Sequence, residues 1–141
     1  MKHIGIVSGF FNPIHKGHIE YINASKKLCD YLVCVVNNDV QVEVKGSKKF
    51  MDETHRLFIL QNIKSVDEVI LAIDTEYKCT NTLELIRRKY PTKLLTFFNS
   101  GDVTLDTWDP SELSFCKDNK INIQIIELPK NYSSSDLKQL C

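Results

Sequence analysis

Two histidines near the start of the chain stand three residues apart, and their setting suggests chemistry on phosphates. Residues 9–18 read GFFNPIHKGH, which places His15 and His18 at the end of the stretch. A strand-like run, HIGIVS, precedes the stretch, and a helix-like run, IEYINASKKL, follows it. Residues three apart project from one face of a helical turn, and the first turn of a helix offers unpaired N–H groups to an anion. The stretch therefore predicts a polyphosphate site.

The residues around the histidines support this prediction over two others. Gly9 permits a close approach of the backbone, and Pro13 fixes φ and prepares the chain for a helix start. Gly17 has no side chain and leaves room for a bulky group against the backbone. A metal site is a second interpretation, but only His3 and His55 remain as further imidazole ligands, and no cysteines are clustered. Surface histidines without a role are the third.

Short apolar runs alternate along the chain with amphipathic stretches. The runs typical of buried strands are residues 3–8, 31–36, 67–73, 93–98 and 122–128. The helical patterns are residues 17–28, 53–63 and 80–90, and Asp109 before Pro110 is typical of a helix start. This alternation predicts an α/β fold with a five-stranded parallel sheet and helices on both faces. Ligands of such sheets bind where loops leave the carboxyl ends of the strands, which here includes residues 9–14 and 99–102.

Composition and charge exclude several classes of protein. The 141 residues suffice for one domain, and 18 basic residues balance 18 acidic ones, so no broad basic surface for nucleic acid is expected. No apolar run approaches the roughly 18 residues of a membrane span, and the N-terminal run is too short for a signal peptide. These two observations predict a cytoplasmic protein with no membrane partner. The five cysteines are scattered without a CxxC pair, which predicts reduced thiols.

Four motifs in order resemble a known family. GFFNPIHKGH resembles the HxGH signature of the nucleotidyltransferase superfamily, and in particular of the small cytidylyltransferase-like enzymes of the glycerol-3-phosphate type, usually G-x-F-D-x-x-H-x-G-H. Residues 52–70, residues 100–102 (SGD) and residues 128–138 (LPKNYSSSDLK) are similar to later motifs of that family. The resemblance covers nearly the whole chain. Together with the alternating pattern it predicts a single Rossmann-like domain over residues 1–141.

The resemblance implies a reaction and a set of site residues. The phosphate of a small alcohol or sugar would attack the α-phosphorus of a nucleoside triphosphate, CTP in preference to ATP, and pyrophosphate would leave. His15, His18 and Lys45 would act on the triphosphate, with Lys45 reaching from the loop at residues 45–49. The remaining residues implied in nucleotide or phosphate binding are Gly9, Phe10, Phe11, Asn12, Gly17, Lys48, Arg56, Asp102, Lys130, Ser133 and Ser134. Mg²⁺ would accompany the triphosphate, held mainly by phosphate oxygens, and a homodimer is expected.

Departures from the family pattern keep alternatives open. Asn12 stands where relatives often have Asp, and Lys130 stands where the last motif has Arg, which removes a bidentate fork. The ending YSSSDLKQL is closer to nucleotidyl domains that use ATP on heptose phosphates. Adenylyl transfer is therefore one alternative, and a catalytically inactive nucleotide-binding regulatory module is another. For single residues, Arg56 could form a structural ion pair, Asp102 could cap a turn, and Trp108 could be a packing residue.

Overall fold

The structure is a computed structural model, and it describes residues 2–100 and 103–128. The strands of the described residues are β1 (His3–Gly9), β2 (Tyr31–Val36), β3 (Glu68–Leu71), β4 (Leu94–Ser100) and β5 (Ile121–Ile126). The helices are α1 (Lys16–Lys26), α2 (Asp39–Lys45), α3 (Glu53–Gln61), α4 (Thr80–Lys89) and α5 (Pro110–Asp118).

The five strands form one parallel sheet in the order β3-β2-β1-β4-β5. Alternate residues of β1 face opposite sides: Ile4 and Ile6 pack with α4 and α5, whereas Val7 packs with α1 and α3. The predicted α/β sheet with helices on both faces is therefore confirmed. The strand order reverses between β1 and β4, and ligands of doubly wound sheets bind at such a point, beyond the carboxyl ends of the strands.

Helix α2 is an element that the sequence reading did not predict. The Asn38 side chain accepts the N–H of Gln41, the Gln41 side chain accepts the N–H of Asn38, and these reciprocal bonds start the helix. Gly46 ends it with φ of 76°, in the left-handed region where glycine carries no steric penalty. Lys45, predicted in a loop, is instead the last residue of this helix.

Helix α1 begins at Lys16, within one residue of the predicted start at residue 17. Pro13 lies before the helix, and the Asn12–Pro13 peptide bond is cis. Helix α5 also begins as predicted, because the Asp109 side chain accepts the N–H groups of Ser111 and Glu112.

Trp108 is part of the core. Trp108 is 2% exposed, meets the Phe97 ring edge to face at 5.3 Å, and donates its Nε1–H to Glu112. Its interpretation as a packing residue is confirmed.

Within residues 2–100 and 103–128, the cysteines are free thiols. In that same part of the chain, no helix has the length and apolar character needed to cross a membrane.

Candidate active site

The loop between β1 and α1 has a buried aromatic residue at its base. Phe11 is 1% exposed and has φ of 51°, and its ring meets the His18 ring edge to face with centroids 5.1 Å apart. A Cβ at Gly9 would lie 2.8 Å from the Phe11 ring, so a larger residue there would displace the ring. In the described structure, Gly9 makes room for Phe11, and Phe11 supports His18.

His15 and His18 together form the start of α1. His15 is the N-cap residue, and its Nδ1 accepts the N–H of Gly17 at 3.0 Å. His18 occupies the third helical position, and its Nδ1 accepts the N–H of His15 at 3.1 Å. An imidazole nitrogen that accepts a hydrogen bond carries no hydrogen, so each neutral ring has its N–H at Nε2.

The two histidine rings lie against each other. Their centroids are 3.8 Å apart, and their planes differ by 28°. Burial lowers the pKa of His15 below its ordinary value of 6.5, so that ring is neutral at pH 7. A neutral imidazole with its hydrogen at Nε2 can donate to a phosphate oxygen without first losing or gaining a proton.

The three lysines of residues 45–49 have different surroundings. The Lys45 Nζ lies 4.3 Å from the centroid of the Phe10 ring, which brings its charge to the loop that carries the histidines. The Lys48 Nζ lies 5.6 Å from the Phe50 ring, and the Lys49 Nζ lies 3.8 Å from Asp39 Oδ2. Of the three, Lys45 contacts the β1–α1 loop through its side chain.

Asn12 joins the β1–α1 loop to residues 45–51, the lysine segment. Its Oδ1 accepts the N–H groups of Phe50 at 2.8 Å and Met51 at 3.2 Å. Its Nδ2 donates to the Lys48 carbonyl at 2.8 Å, and the residue is 5% exposed. We predicted a contact with phosphate for Asn12, whereas in this structure its amide holds the backbone of residues 48–51.

Arg56 is fully buried and donates to three separate segments. Its Nε donates to the Met51 carbonyl at 3.1 Å, and its Nη1 donates to the carbonyls of Phe10 and Asn37. Its Nη2 pairs with Asp39 Oδ1 at 2.8 Å. The side chain has 0% exposure, so the alternative of a structural ion pair is present in this structure, with Asp39 of α2. The predicted contact of Arg56 with nucleotide stays a prediction.

A third loop, between β3 and α4, also reaches this edge of the sheet. Tyr77 lies in it, with its ring centroid 5.9 Å from that of Phe10 and with 56% of the residue exposed. The sequence reading missed Tyr77, and no spacing or motif points to it. It also missed Gln41, whose side chain holds this loop, although Asn38 and Gln41 have the spacing of a capping box.

The other predicted residues are placed as follows. The N–H of Gly17 donates to the His15 ring, as described above. Asp102, Lys130, Ser133 and Ser134 lie outside the described residues, so their predicted roles stay predictions. Among the residues that the structure describes, no three His, Cys, Asp or Glu side chains are grouped closely enough to hold a metal ion.

A parallel sheet with a histidine pair at the start of its first helix defines a class, the HxGH nucleotidyltransferases. The family model described as cytidylyltransferase-like matches residues 6–140. The chain therefore belongs to the cytidylyltransferase-like family of the nucleotidyltransferase superfamily, and the predicted family is confirmed.

Individual relatives have different names. An FAD synthase from Aciduliprofundum boonei is 31% identical over 134 residues, which is 94% of this chain and 81% of that protein. An FAD synthase from Thermoplasma acidophilum is 42% identical over 66 residues, or 47% of this chain and 46% of that protein. The bifunctional protein HldE from a Bradyrhizobium species is 35% identical over 60% of this chain and 17% of its own length. The chain thus spans less than half the length of several relatives that it matches.

Solved structures agree with the fold. The lipopolysaccharide core biosynthesis protein from Thermoplasma volcanium superposes with a TM-score of 0.67 and 28% identity, covering 94% of this chain and 99% of that one. A nicotinic acid mononucleotide adenylyltransferase from Plasmodium falciparum superposes with a TM-score of 0.63 over 99% of this chain and 83% of that one. At 19% identity the second likeness concerns the fold alone.

Proposed function

We propose that this protein transfers a nucleoside monophosphate from a nucleoside triphosphate to a small phosphorylated acceptor and releases pyrophosphate. The observation that carries the proposal is the histidine pair. Two stacked imidazoles have their Nδ1 atoms bound to the backbone of the first turn of α1, which assigns the hydrogen of each neutral ring to Nε2. Lys45 adds a positive charge beside the same loop.

In the proposed reaction a phosphate oxygen of the acceptor attacks the α-phosphorus of the triphosphate. The bond from that phosphorus to the oxygen bridging toward the β-phosphorus breaks, and pyrophosphate leaves with the electron pair. The attacking group is already anionic, so no strong general base is needed, and catalysis consists of positioning and stabilising charge. His15 and His18 would donate hydrogen bonds to oxygens on which charge increases, and Lys45 would neutralise part of that charge.

The donor nucleotide is the point on which sequence and relatives differ. The resemblance to the glycerol-3-phosphate type favours CTP. The names of the relatives, FAD synthase among them, favour ATP, as does the ending YSSSDLKQL. We therefore propose ATP as the donor and keep CTP as the second candidate.

The proposal includes a homodimer, which the family resemblance implies, and Mg²⁺ bound with the triphosphate. Mg²⁺ prefers oxygen ligands and usually keeps several waters, so a triphosphate can supply most of its ligands without a cage of protein carboxylates. The absence of a grouped ligand set among residues 2–100 and 103–128 is compatible with this arrangement.

The test is a reaction panel with purified protein. ATP or CTP, each labelled at the α-phosphate, is incubated with Mg²⁺ and with phosphorylated alcohols, sugars and aromatic compounds. The expected result is label in a new diphosphate-linked product and an equal amount of pyrophosphate. Transfer of the γ-phosphate instead would refute the proposal, and no reaction with any pair would favour the inactive nucleotide-binding module. His18→Gln serves as the inactive control, because Gln at this position can still accept the N–H of His15.

A further inference from the structure

The pairing between β1 and β4 stops before either strand ends. The last pair between these two strands is Ile6 with Phe97. Beyond it, β1 goes on pairing with β2 as far as Gly9, and β4 goes on pairing with β5 as far as Ser100. The sheet is therefore continuous on both outer sides of the two strands and is split between them, at the point where the strand order reverses.

A tyrosine hydroxyl occupies the place of the first missing bond between these strands. The next pair in the register would be Val7 with Phe98, and a parallel ladder would close it with a bond from the N–H of Ser8 to the carbonyl of Phe98. Instead, the Tyr21 hydroxyl donates to the Phe98 carbonyl at 2.6 Å, and the N–H of Ser8 faces the same hydroxyl. Burial raises the pKa of Tyr21, so the hydroxyl keeps the proton that it donates. A side chain of α1 thus bridges the two strands where they part.

Tyr21 lies one turn of α1 after His18. Residues three apart share one face of a helix, so the turns that carry His18 and Tyr21 face the same side. Tyr21 is 5% exposed and packs in one cluster with Phe11 and Phe98, and the Phe11 ring is the one that meets the His18 ring. A shift of the Tyr21 hydroxyl would therefore move the first turn of α1 relative to the end of β4.

We propose that Tyr21 is a positioning residue for the nucleotidyl transfer and that its hydroxyl fixes the histidine pair relative to the end of β4. This inference rests on the proposed function and adds a residue outside the HxGH motif. The Tyr21 hydroxyl is engaged on Phe98 inside the core, so it acts through the strand ends and His18 rather than on substrate. Catalysis by positioning is sensitive to such a residue, because a misplacement of about 1 Å can cost roughly 100-fold in rate.

Removing one oxygen atom is the smallest change that tests this role. Tyr21→Phe keeps the ring in the core and takes away the atom between the N–H of Ser8 and the carbonyl of Phe98. Buried backbone groups without a partner are unfavourable, so the strand ends shift until each group finds one. We expect kcat, measured as pyrophosphate release, to fall by about tenfold, while the KM for the nucleoside triphosphate changes by less than about twofold.

Ser25→Ala is the matched control on the same helix. Ser25 is 0% exposed, and its Oγ donates to the carbonyl of Tyr21 at 2.8 Å, so this change also removes one buried hydroxyl hydrogen bond. That bond lies within α1 and does not reach the sheet. Ser25→Ala should therefore keep kcat within about twofold of the unchanged protein. Both variants are assayed at a temperature at which circular dichroism shows each to be fully folded.

A second measurement needs no substrate. Proton–nitrogen correlation spectra of the imidazoles report the surroundings of the ring nitrogens of His15 and His18. Tyr21→Phe should shift the His18 ring signals, whereas Ser25→Ala should leave them in place, because the first change alone alters the contact between α1 and β4. A loss of stability without a change of position would not produce this difference.

The outcomes separate this inference from the function on which it rests. Equal kcat in Tyr21→Phe and Ser25→Ala would overturn the positioning role, and so would a raised KM with an unchanged kcat. His18 ring signals that do not move in Tyr21→Phe would overturn it as well. If the unchanged protein transfers nucleotide from neither ATP nor CTP, the proposed function is wrong, and the His18 signals still decide whether Tyr21 positions the histidine.

Discussion

Replacing Arg56 by Met tests whether one buried side chain holds the β1–α1 loop, α2 and the lysine segment together. Met has a similar length and no charge, so it fills much of the space while removing every donor. The change leaves three carbonyls, of Phe10, Asn37 and Met51, without this donor, and it leaves Asp39 with its longer ion pair to Lys49. The perturbation therefore acts on polar contacts far more than on packing.

The structure sets the size of the expected loss. Removing one partner of a buried ion pair typically costs about 3–5 kcal/mol, and each buried carbonyl left unsatisfied costs about 1–3 kcal/mol. The Asp39 side chain is 26% exposed and lies near Lys49, and the bonds to the Phe10 and Met51 carbonyls are only partly buried. Water and that lysine therefore compensate much of the loss, and the full sum of these costs does not apply. We expect Arg56→Met to lower the free energy of unfolding by about 4 kcal/mol, a large part of the roughly 5–15 kcal/mol typical of a domain.

The assay is equilibrium unfolding in urea. With a typical slope of about 2 kcal/mol per molar urea, the expected loss moves the midpoint down by about 2 M. Arg88→Met is the matched control, because Arg88 is 77% exposed and pairs with Glu84 on the same helix, an arrangement that contributes about 0.5 kcal/mol or less. Arg56→Lys keeps a charge and loses the fork, so it should fall between the two and gives a folded sample if Arg56→Met does not fold. If Arg56→Met and Arg88→Met had the same midpoint, the scaffold role of Arg56 would be wrong.

Three further sets of changes test residues of the β1–α1 loop and of the start of α1. His18→Ala and His18→Gln should each lower kcat, measured as pyrophosphate release, by about 100-fold or more, and normal turnover by either variant contradicts the donor role. Gln keeps the bond to the N–H of His15, so His18→Gln should retain about 1 kcal/mol of stability that His18→Ala loses. Burial lowers the pKa of His15 below 6.5, so near and below that pH the unfolded state binds more protons at this ring than the folded state does. The contribution of the neutral ring to the free energy of unfolding is therefore full above pH 6.5 and falls as the pH decreases. His15→Asn keeps an N-cap acceptor and removes the titrating ring. Between about pH 7.5 and pH 5, the urea midpoint of this variant should therefore fall less than that of the unchanged protein. Equal falls would disprove the lowered pKa of His15. Asn12→Leu removes three hydrogen bonds to residues 48–51, whereas Asn12→Asp keeps the two that Oδ1 accepts. Limited proteolysis should therefore cut residues 48–51 faster in the Asn12→Leu variant than in the Asn12→Asp variant. Equal rates would contradict the attachment of this segment by Asn12.

The sheet could be predicted from sequence because each strand is a short apolar run with its own periodicity. Strands β1 and β2 lie within one residue of their predicted bounds, and α5 starts where Asp109 and Pro110 indicated. Helix α2 was missed, because its sequence DVQVEVK alternates polar and apolar residues and does not show a helical stripe. The pair Asn38 and Gln41 was the available signal for it.

The partners of site residues are harder to predict than the elements. The motif identifies His15 and His18, since their chemistry depends on local spacing within one turn. The acceptors of Arg56 come from the β1–α1 loop, the start of α2 and the lysine segment, which are distant in sequence and adjacent only once the sheet has formed. The same holds for Asn12 and for the contact between Phe10 and Tyr77.

The bonds that start α1 limit how much positive charge the histidine pair can carry. An imidazolium has hydrogens on both nitrogens, so a ring that gains a proton can no longer accept the backbone N–H at Nδ1. Protonation of His18 would release the N–H of His15, and protonation of His15 would release the N–H of Gly17. Both released groups lie at the first turn of a helix, where an anion is stabilised. Charge on the rings and exposure of these N–H groups are therefore linked. Each proton taken up at the pair adds a ring charge and an unpaired backbone N–H to the start of α1, where the triphosphate is proposed to bind.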